Sequence, residues 1–133
     1  MMVRRAGLSK AELEVARIVW SLGGATVRQV FDALPTDRTL DYKTVQTYLR
    51  RLEAKGYLAT RREGKSTHYR PRIRPTQVVR ETVADFVSRL FDGDALPLVE
   101  CLIADHKLTA EDIARLRDIL NQREQKDDEH SKR

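Results

Sequence analysis

Turn-forming and helix-stopping residues at Gly23-Gly24, Pro35, Gly56, Gly64 and Pro71 cut the first 74 residues into short pieces, enough for three small helices and a hairpin. Ser9 is placed to cap a first helix. Its apolar positions Leu13, Ala16, Val19 and Trp20 recur at helical spacing up to the glycine pair, with Leu8 as a hydrophobic staple. Thr26 opens a second helix with Val27, Val30, Phe31 and Leu34 on one face and Pro35 as its stop. Residues 35 to 41 form a polar turn, and Asp41 caps a third helix that runs to Gly56. Beyond it, Tyr57 to Thr60 and Thr67 to Pro71 flank the tip Arg62-Glu63-Gly64-Lys65, which has the glycine and charge of a hairpin turn.

Three helices followed by a basic hairpin is the order of a winged helix-turn-helix. Pro71 and Pro75 mark its end. Thr76 then opens a helix with Val79, Val83, Phe86 and Leu90 on one face, closed by Gly93. Residues 95 to 105, with Leu98 and Leu102, are nearly all apolar except Glu100. Thr109 and Asp112 have capping-box spacing before a last helix carrying Ile113, Leu116 and Leu120. The expected fold is mainly α with a small β-hairpin wing. A winged helix-turn-helix domain covers residues 1–74, a three-helix domain 75–121, and a charged, disordered tail 122–133. The last three helices are too few and too apolar to close a core alone.

Charge divides along the same line. Residues 1 to 74 hold 16 Lys and Arg against 7 Asp and Glu, a net +9, and residues 75 to 133 hold 9 against 13, a net −4, which together make the chain's +5. A basic front half suits a polyanion, and nucleic acid is the first partner to consider; a merely solvated charged surface is the bland alternative. The single cysteine, Cys101, excludes an internal disulfide and any multi-cysteine metal site and fits a reducing, cytoplasmic setting. Cys101 and His106 lie five apart, but a buried core cysteine beside a surface histidine is the simpler reading. His68 falls in the wing and His130 in the tail, and Glu111, Asp112 and Asp118 read as helix surface. With no phosphate-binding glycine loop and no nucleophile–base or paired acidic motif, no catalytic residue, cofactor or metal is expected, and the chain does not read as an enzyme. Glu12, Glu14 and Arg17 interrupt any apolar leader, and no uncharged run approaches a membrane span, so no direct membrane binding is expected.

The third helix carries the chemistry. At about 100° per residue, Val45, Leu49 and Leu52 fall on one side, and Lys43, Thr47, Arg50 and Ala54 on the other, with Thr44 and Gln46 flanking. Gln pairs bidentately with adenine, Thr touches a thymine methyl, and Lys reaches guanine or phosphate, so Lys43, Thr44, Gln46 and Thr47 are the candidate base-contacting residues. Arg50, Arg51 and Lys55 on the helix, with Arg61, Arg62, Lys65 and Arg70 on the hairpin, are candidate phosphate contacts flanking one groove. Tyr57 and Tyr69 read as hairpin packing, since no aromatic pair is spaced for base stacking. Two rivals share the electrostatics: a winged-helix module that binds an acidic protein, and recognition of double-stranded RNA by shape.

The segments Leu8-Ser9-Lys10-Ala11-Glu12 with Trp20, Thr26-Val27-Arg28-Gln29-Val30, and Lys43-Thr44-Val45-Gln46-Thr47 with Leu49-Arg50-Arg51-Leu52 occur in an ordered series. Lys55-Gly56-Tyr57-Leu58, Tyr69-Arg70-Pro71 and Phe91-Asp92-Gly93-Asp94 continue it. On these residues the chain, from Leu8 to Asn121, resembles the penicillinase repressor family of winged-helix regulators, the BlaI and MecI type. The resemblance implies a homodimeric repressor that reads an inverted-repeat operator in double-stranded DNA, often with TACA/TGTA half-sites. It also implies an interleaved dimer interface, here Val79, Val83, Phe86, Leu90, Leu98, Leu102, Ile113, Leu116 and Leu120. In the best known systems a membrane sensor-protease triggers cleavage of this domain. The scissile position falls on Cys101-Leu102, where the usual Asn-Phe pair is absent. A copper-sensing branch uses a C-terminal cysteine cluster that this chain lacks.

Overall fold

The computed structural model describes residues 5–131 and divides into two compact units, Met1–Val83 and Ala84–Arg133. The first contains α1 (Lys10–Leu22), β1 (Ala25–Thr26), α2 (Val27–Ala33), α3 (Tyr42–Ala54), β2 (Leu58–Glu63), β3 (Ser66–Pro71) and the start of α4 (Pro75–Phe91). The second holds the rest of α4, then α5 (Leu96–Ala104) and α6 (Ala110–Ser131).

Local chemistry sets the helix ends. Ser9 and Glu12 form a reciprocal capping box, the Glu12 N–H donating to Ser9 Oγ at 3.2 Å and the Ser9 N–H to Glu12 Oε1 at 2.9 Å. Thr26 and Gln29 repeat it on α2 with the same two lengths. Gly23 ends α1 in the left-handed region at φ 73°, where only glycine is unstrained. Gly24 follows at φ 133°, and a Cβ there would sit 3.4 Å from the Tyr69 carbonyl oxygen. That close approach brings β1 alongside β3, so the wing is a three-stranded antiparallel sheet of order β1-β3-β2, not a bare hairpin. Asp41 occupies the cap position of α3, yet its side chain makes no capping hydrogen bond.

The first unit's core joins α1 (Val15, Ala16, Val19), α3 (Val45, Leu49, Leu52), Val30 of α2, and Leu58 and Tyr69 of the sheet. Burial of the valine and leucine side chains contributes about 1.5–3 kcal/mol each. The buried stripe of α1 runs Glu12-Val15-Ala16-Val19, so Leu13, expected in the core, is 37% exposed and a carboxylate lies inside instead. Glu12 is tolerated there because Lys55 Nζ, at the end of α3, meets its Oε1 at 2.8 Å and also donates to the Gly7 carbonyl at 3.0 Å. Burial pushes the Glu12 carboxyl's pKa up, but the Lys55 hydrogen bond, the Ser9 contacts and the Lys55 charge together hold it below the ordinary value of 4.5. A lowered folded-state pKa means stability that is present above about pH 4.5 and lost as pH falls through the folded value. Acid titration of the unfolding midpoint should therefore show a decline below about pH 4.5 that is smaller in Glu12→Gln; identical pH profiles would contradict this role.

The division between units falls inside α4 after Val83, where the proline pattern placed it after residue 74. Val78 is 3% exposed in the first unit's core, and Arg5 pairs with Glu81 at 2.8 Å, so the helix start belongs to the front unit. Pro75, a boundary mark in the sequence, is the first helical residue, where its missing N–H costs nothing. In the second unit Thr109 and Asp112 form the expected capping box, with both bonds at 3.0 Å. α6 then continues to Ser131, so the tail expected to be disordered from residue 122 is helical over its described part. Its strong helix formers and the Arg123–Asp127 pair at i,i+4 spacing support the extra turns. Cys101 is exposed on α5, not buried as expected.

Candidate nucleic-acid interface

α3 is held by Val45, Leu49 and Leu52 in the core, and that anchoring turns Tyr42, Lys43, Gln46, Thr47 and Arg50 to its other side. Lys43, Thr47 and Arg50 are exposed, and Thr44 and Gln46 are half-buried at the two margins. The Thr47 hydroxyl donates to the Lys43 carbonyl at 3.0 Å, so what it offers a partner is a methyl group and an acceptor oxygen. The four candidate base-contacting residues thus occupy the first turns of one helix.

The candidate phosphate contacts separate into three groups. Arg50 of α3 lies near the Tyr69 hydroxyl of β3. Burial pushes that hydroxyl's pKa up, Glu53 adds to the shift, and Arg50 opposes it. The Arg51 guanidinium carbon lies 5.8 Å from the centre of the Tyr48 ring, a cation–π contact that limits its wandering. Lys55, in contrast, is clamped to Glu12 and Gly7, and its ammonium is committed to the fold instead of a phosphate.

On the wing the pleat sorts the basic residues by face. Leu58 and Tyr69 are buried, Thr60 pairs across from Tyr69 and donates to Glu53 of α3 at 3.3 Å, and Arg62 lies on this same α3-facing side. Arg61 and Arg70 lie on the opposite face with His68 and Glu63, which approaches Arg61 at 3.8 Å and His68 at 3.9 Å. Lys65 sits in the turn beside Gly64. The four wing cations therefore do not share one surface. The ribbon carries positive charge on both faces, suiting it to lie along a groove edge with phosphates on either side.

Sequence reasoning missed Arg28 and Tyr42. The Arg28 guanidinium carbon is 5.2 Å from the Tyr42 ring centre, and Phe31 meets the same ring edge-on at 5.8 Å. The available signal was Arg28 two residues after the Thr26 cap and Tyr42 immediately before Lys43, but cross-helix proximity cannot be read from spacing.

The expected dimerisation residues fall in both units: Val79 and Val83 in the first, and Phe86, Leu90, Leu98, Leu102, Ile113, Leu116 and Leu120 in the second. Among the described residues of the second unit no side chain is buried. Phe86 and Phe91 pack edge-on at 6.0 Å, yet Leu90 remains 63% exposed and Leu120 60%. Cys101 and Leu102 are exposed on α5. No group of three or more His, Cys, Asp or Glu among the described residues is arranged to hold a metal ion.

Comparison with known proteins agrees with this geometry. A family model described as Penicillinase repressor matches residues 8–122. The chain is 30% identical over 115 residues to the penicillinase repressor of Bacillus licheniformis, covering 86% of this chain and 90% of that one. It is 25% identical over 116 residues to the methicillin resistance regulatory protein MecI of Staphylococcus aureus (strain N315), covering 87% and 94%. Among solved structures, the DNA-binding domain of the repressor BlaI aligns with a TM-score of 0.50 at 35% identity, over 56% of this chain and 92% of that one.

Proposed function

Because this chain belongs to the penicillinase repressor family, a family of DNA-binding transcriptional repressors and not of enzymes, we propose that it binds double-stranded DNA sequence-specifically, as a homodimer on an inverted-repeat operator. The observation that carries this reading is the outer row of α3. Lys43, Gln46 and Thr47 stand together opposite a buried Val45-Leu49-Leu52 stripe, with the chemistry of a major-groove reader. Lys43, Thr44, Gln46 and Thr47 meet base edges. Arg50, Arg51, Arg61, Arg62 and Lys65 meet phosphates. Bound over a promoter, the dimer blocks transcription.

The homodimer is supported by the apolar side chains that the second unit leaves uncovered. Each copy offers Phe86, Leu90, Leu102 and Leu120 at more than a third exposure, and burying them against a second copy supplies the core that one chain lacks. Residues 1–74, with the first turns of α4, act as the reader, and the remainder to residue 121 as the dimerisation domain. Release by a membrane sensor-protease system would act on α5 at Cys101-Leu102. Among the described residues no helix is long and apolar enough to cross a membrane, and the proposed site of action is the cytoplasm.

Replacing Gln46 with alanine should weaken binding to the preferred duplex by about 5- to 150-fold, the range for one bidentate base contact, and leave binding to a scrambled duplex unchanged. Thr47→Ala should likewise relax preference. Arg62→Ala should weaken both duplexes equally and reduce the salt slope by about 1. Competition binding on the two duplexes separates these outcomes, and equal losses for Gln46→Ala on both would remove it from base readout.

A further inference from the structure

We propose that Arg28 is an additional DNA-contacting residue and that Tyr42 is the positioning residue that holds it beside Gln46, extending the recognition surface from α3 onto α2. The inference rests on the reading of α3 as a DNA reader and adds a residue pair that the sequence pattern did not single out. Tyr42 and Gln46 are four residues apart, so they stand one above the other on the same edge of α3. The Tyr42 ring is fixed by the edge of Phe31 at 5.8 Å and carries the Arg28 guanidinium 5.2 Å from its centre. The cation therefore lies over the residue that begins the reading row.

The charge balance around Arg28 leaves it available. Its acidic neighbour is Asp32, at 4.0 Å, and the two side chains are 67% and 62% exposed, a geometry in which an ion pair is weak. Several other cations of the first unit are committed more firmly: Lys55 to Glu12, Arg5 to Glu81 and Arg38 to Glu14. A guanidinium over an aromatic face keeps its in-plane N–H donors, and those donors match the oxygens of a phosphate. Stacking also reduces the side-chain freedom that a phosphate contact would otherwise remove. Arg28 is thus a pre-positioned phosphate ligand next to the base-reading edge.

The test is the salt dependence of duplex binding by the full chain, on a duplex enriched from a random pool by the wild-type protein and on a scrambled duplex of equal length. Arg28→Ala should lower the slope of log affinity against log salt by about 0.9 on both duplexes, the loss of one phosphate contact, so its affinity falls roughly three- to fourfold less than wild type between about 50 and about 200 mM salt. Tyr42→Leu keeps the charge but removes the stack, and should lower affinity and slope in the same direction. Tyr42→Phe should restore wild-type behaviour. A packing role alone for Tyr42 would shift the unfolding midpoint and leave the slope untouched. An unchanged slope in Arg28→Ala, or wild-type binding by Tyr42→Leu, overturns the proposal while the DNA-reader reading stands. Failure of the wild-type chain to bind either duplex overturns both.

Discussion

The double variant Leu90→Asp/Leu120→Asp should be a monomer that keeps a folded first unit and binds the operator about 10²- to 10⁴-fold more weakly than wild type. Both leucines lie in the second unit and are at least 60% exposed within one chain, so neither substitution touches the first unit's core. Exposed positions of this kind change folding stability by about 0.5 kcal/mol or less. In a dimer the same positions enter an apolar interface, and an aspartate there is desolvated without a partner. Loss of the dimer uncouples the two readers and removes the effective-concentration advantage of a second, tethered half-site, which sets the size of the effect. Sedimentation gives the oligomeric state, circular dichroism the fold, and band shift the affinity. A dimeric variant, or a monomer with undiminished operator affinity, would contradict the proposed architecture.

The second large effect is on stability. Lys55→Ala should destabilise the first unit by about 3 kcal/mol, because it leaves the buried Glu12 carboxylate without its counter-charge. Glu12 is 3% exposed, and its Oε2 already lacks a hydrogen-bond partner, so the Oε1 bond to Lys55 at 2.8 Å is the principal compensation for its burial besides the Ser9 cap. Adding Glu12→Gln to Lys55→Ala should recover most of the loss. The amide keeps an oxygen for the Ser9 N–H but carries no charge to desolvate. Urea unfolding of the two single variants and the double closes the cycle and isolates the pairwise coupling. A cost for Lys55→Ala below about 0.5 kcal/mol, or no recovery in the double, would show that the pair is not what allows the carboxylate inside.

Much of this was legible because the local signals are stereochemical. Ser9 and Thr26 start their helices as expected and Thr109 forms the expected capping box with Asp112, while Glu12 and Gln29 close two further boxes that the sequence reading did not name. The Val45-Leu49-Leu52 stripe and the Gly64 turn were equally plain, because helical period and hairpin chemistry act within a few residues. What depended on partners distant in sequence was not legible. Lys55 looks like any helix-end cation until Glu12, 43 residues earlier, is found buried beside it. β1 is two residues long and shows no alternation; it exists because Tyr69 and His68 pair with it. The Arg28–Tyr42 stack joins two helices across a turn, and the division of Arg61 from Arg62 follows from the strand pleat that the basic composition of the wing concealed. The helical tail beyond residue 122 shows the converse, since a charge-rich composition that reads as disorder also contains good helix formers.

The central claim is that α3 reads sequence in duplex DNA and that two copies read together. Its most direct test is selection of random duplex DNA on the purified protein at about physiological salt, where purely electrostatic binding is suppressed. The predicted result is a single enriched inverted repeat whose half-sites lie about one helical turn, or a multiple of it, apart. Enrichment of no motif, with binding that follows charge alone, would contradict sequence reading and turn the search to an acidic protein partner or to double-stranded RNA.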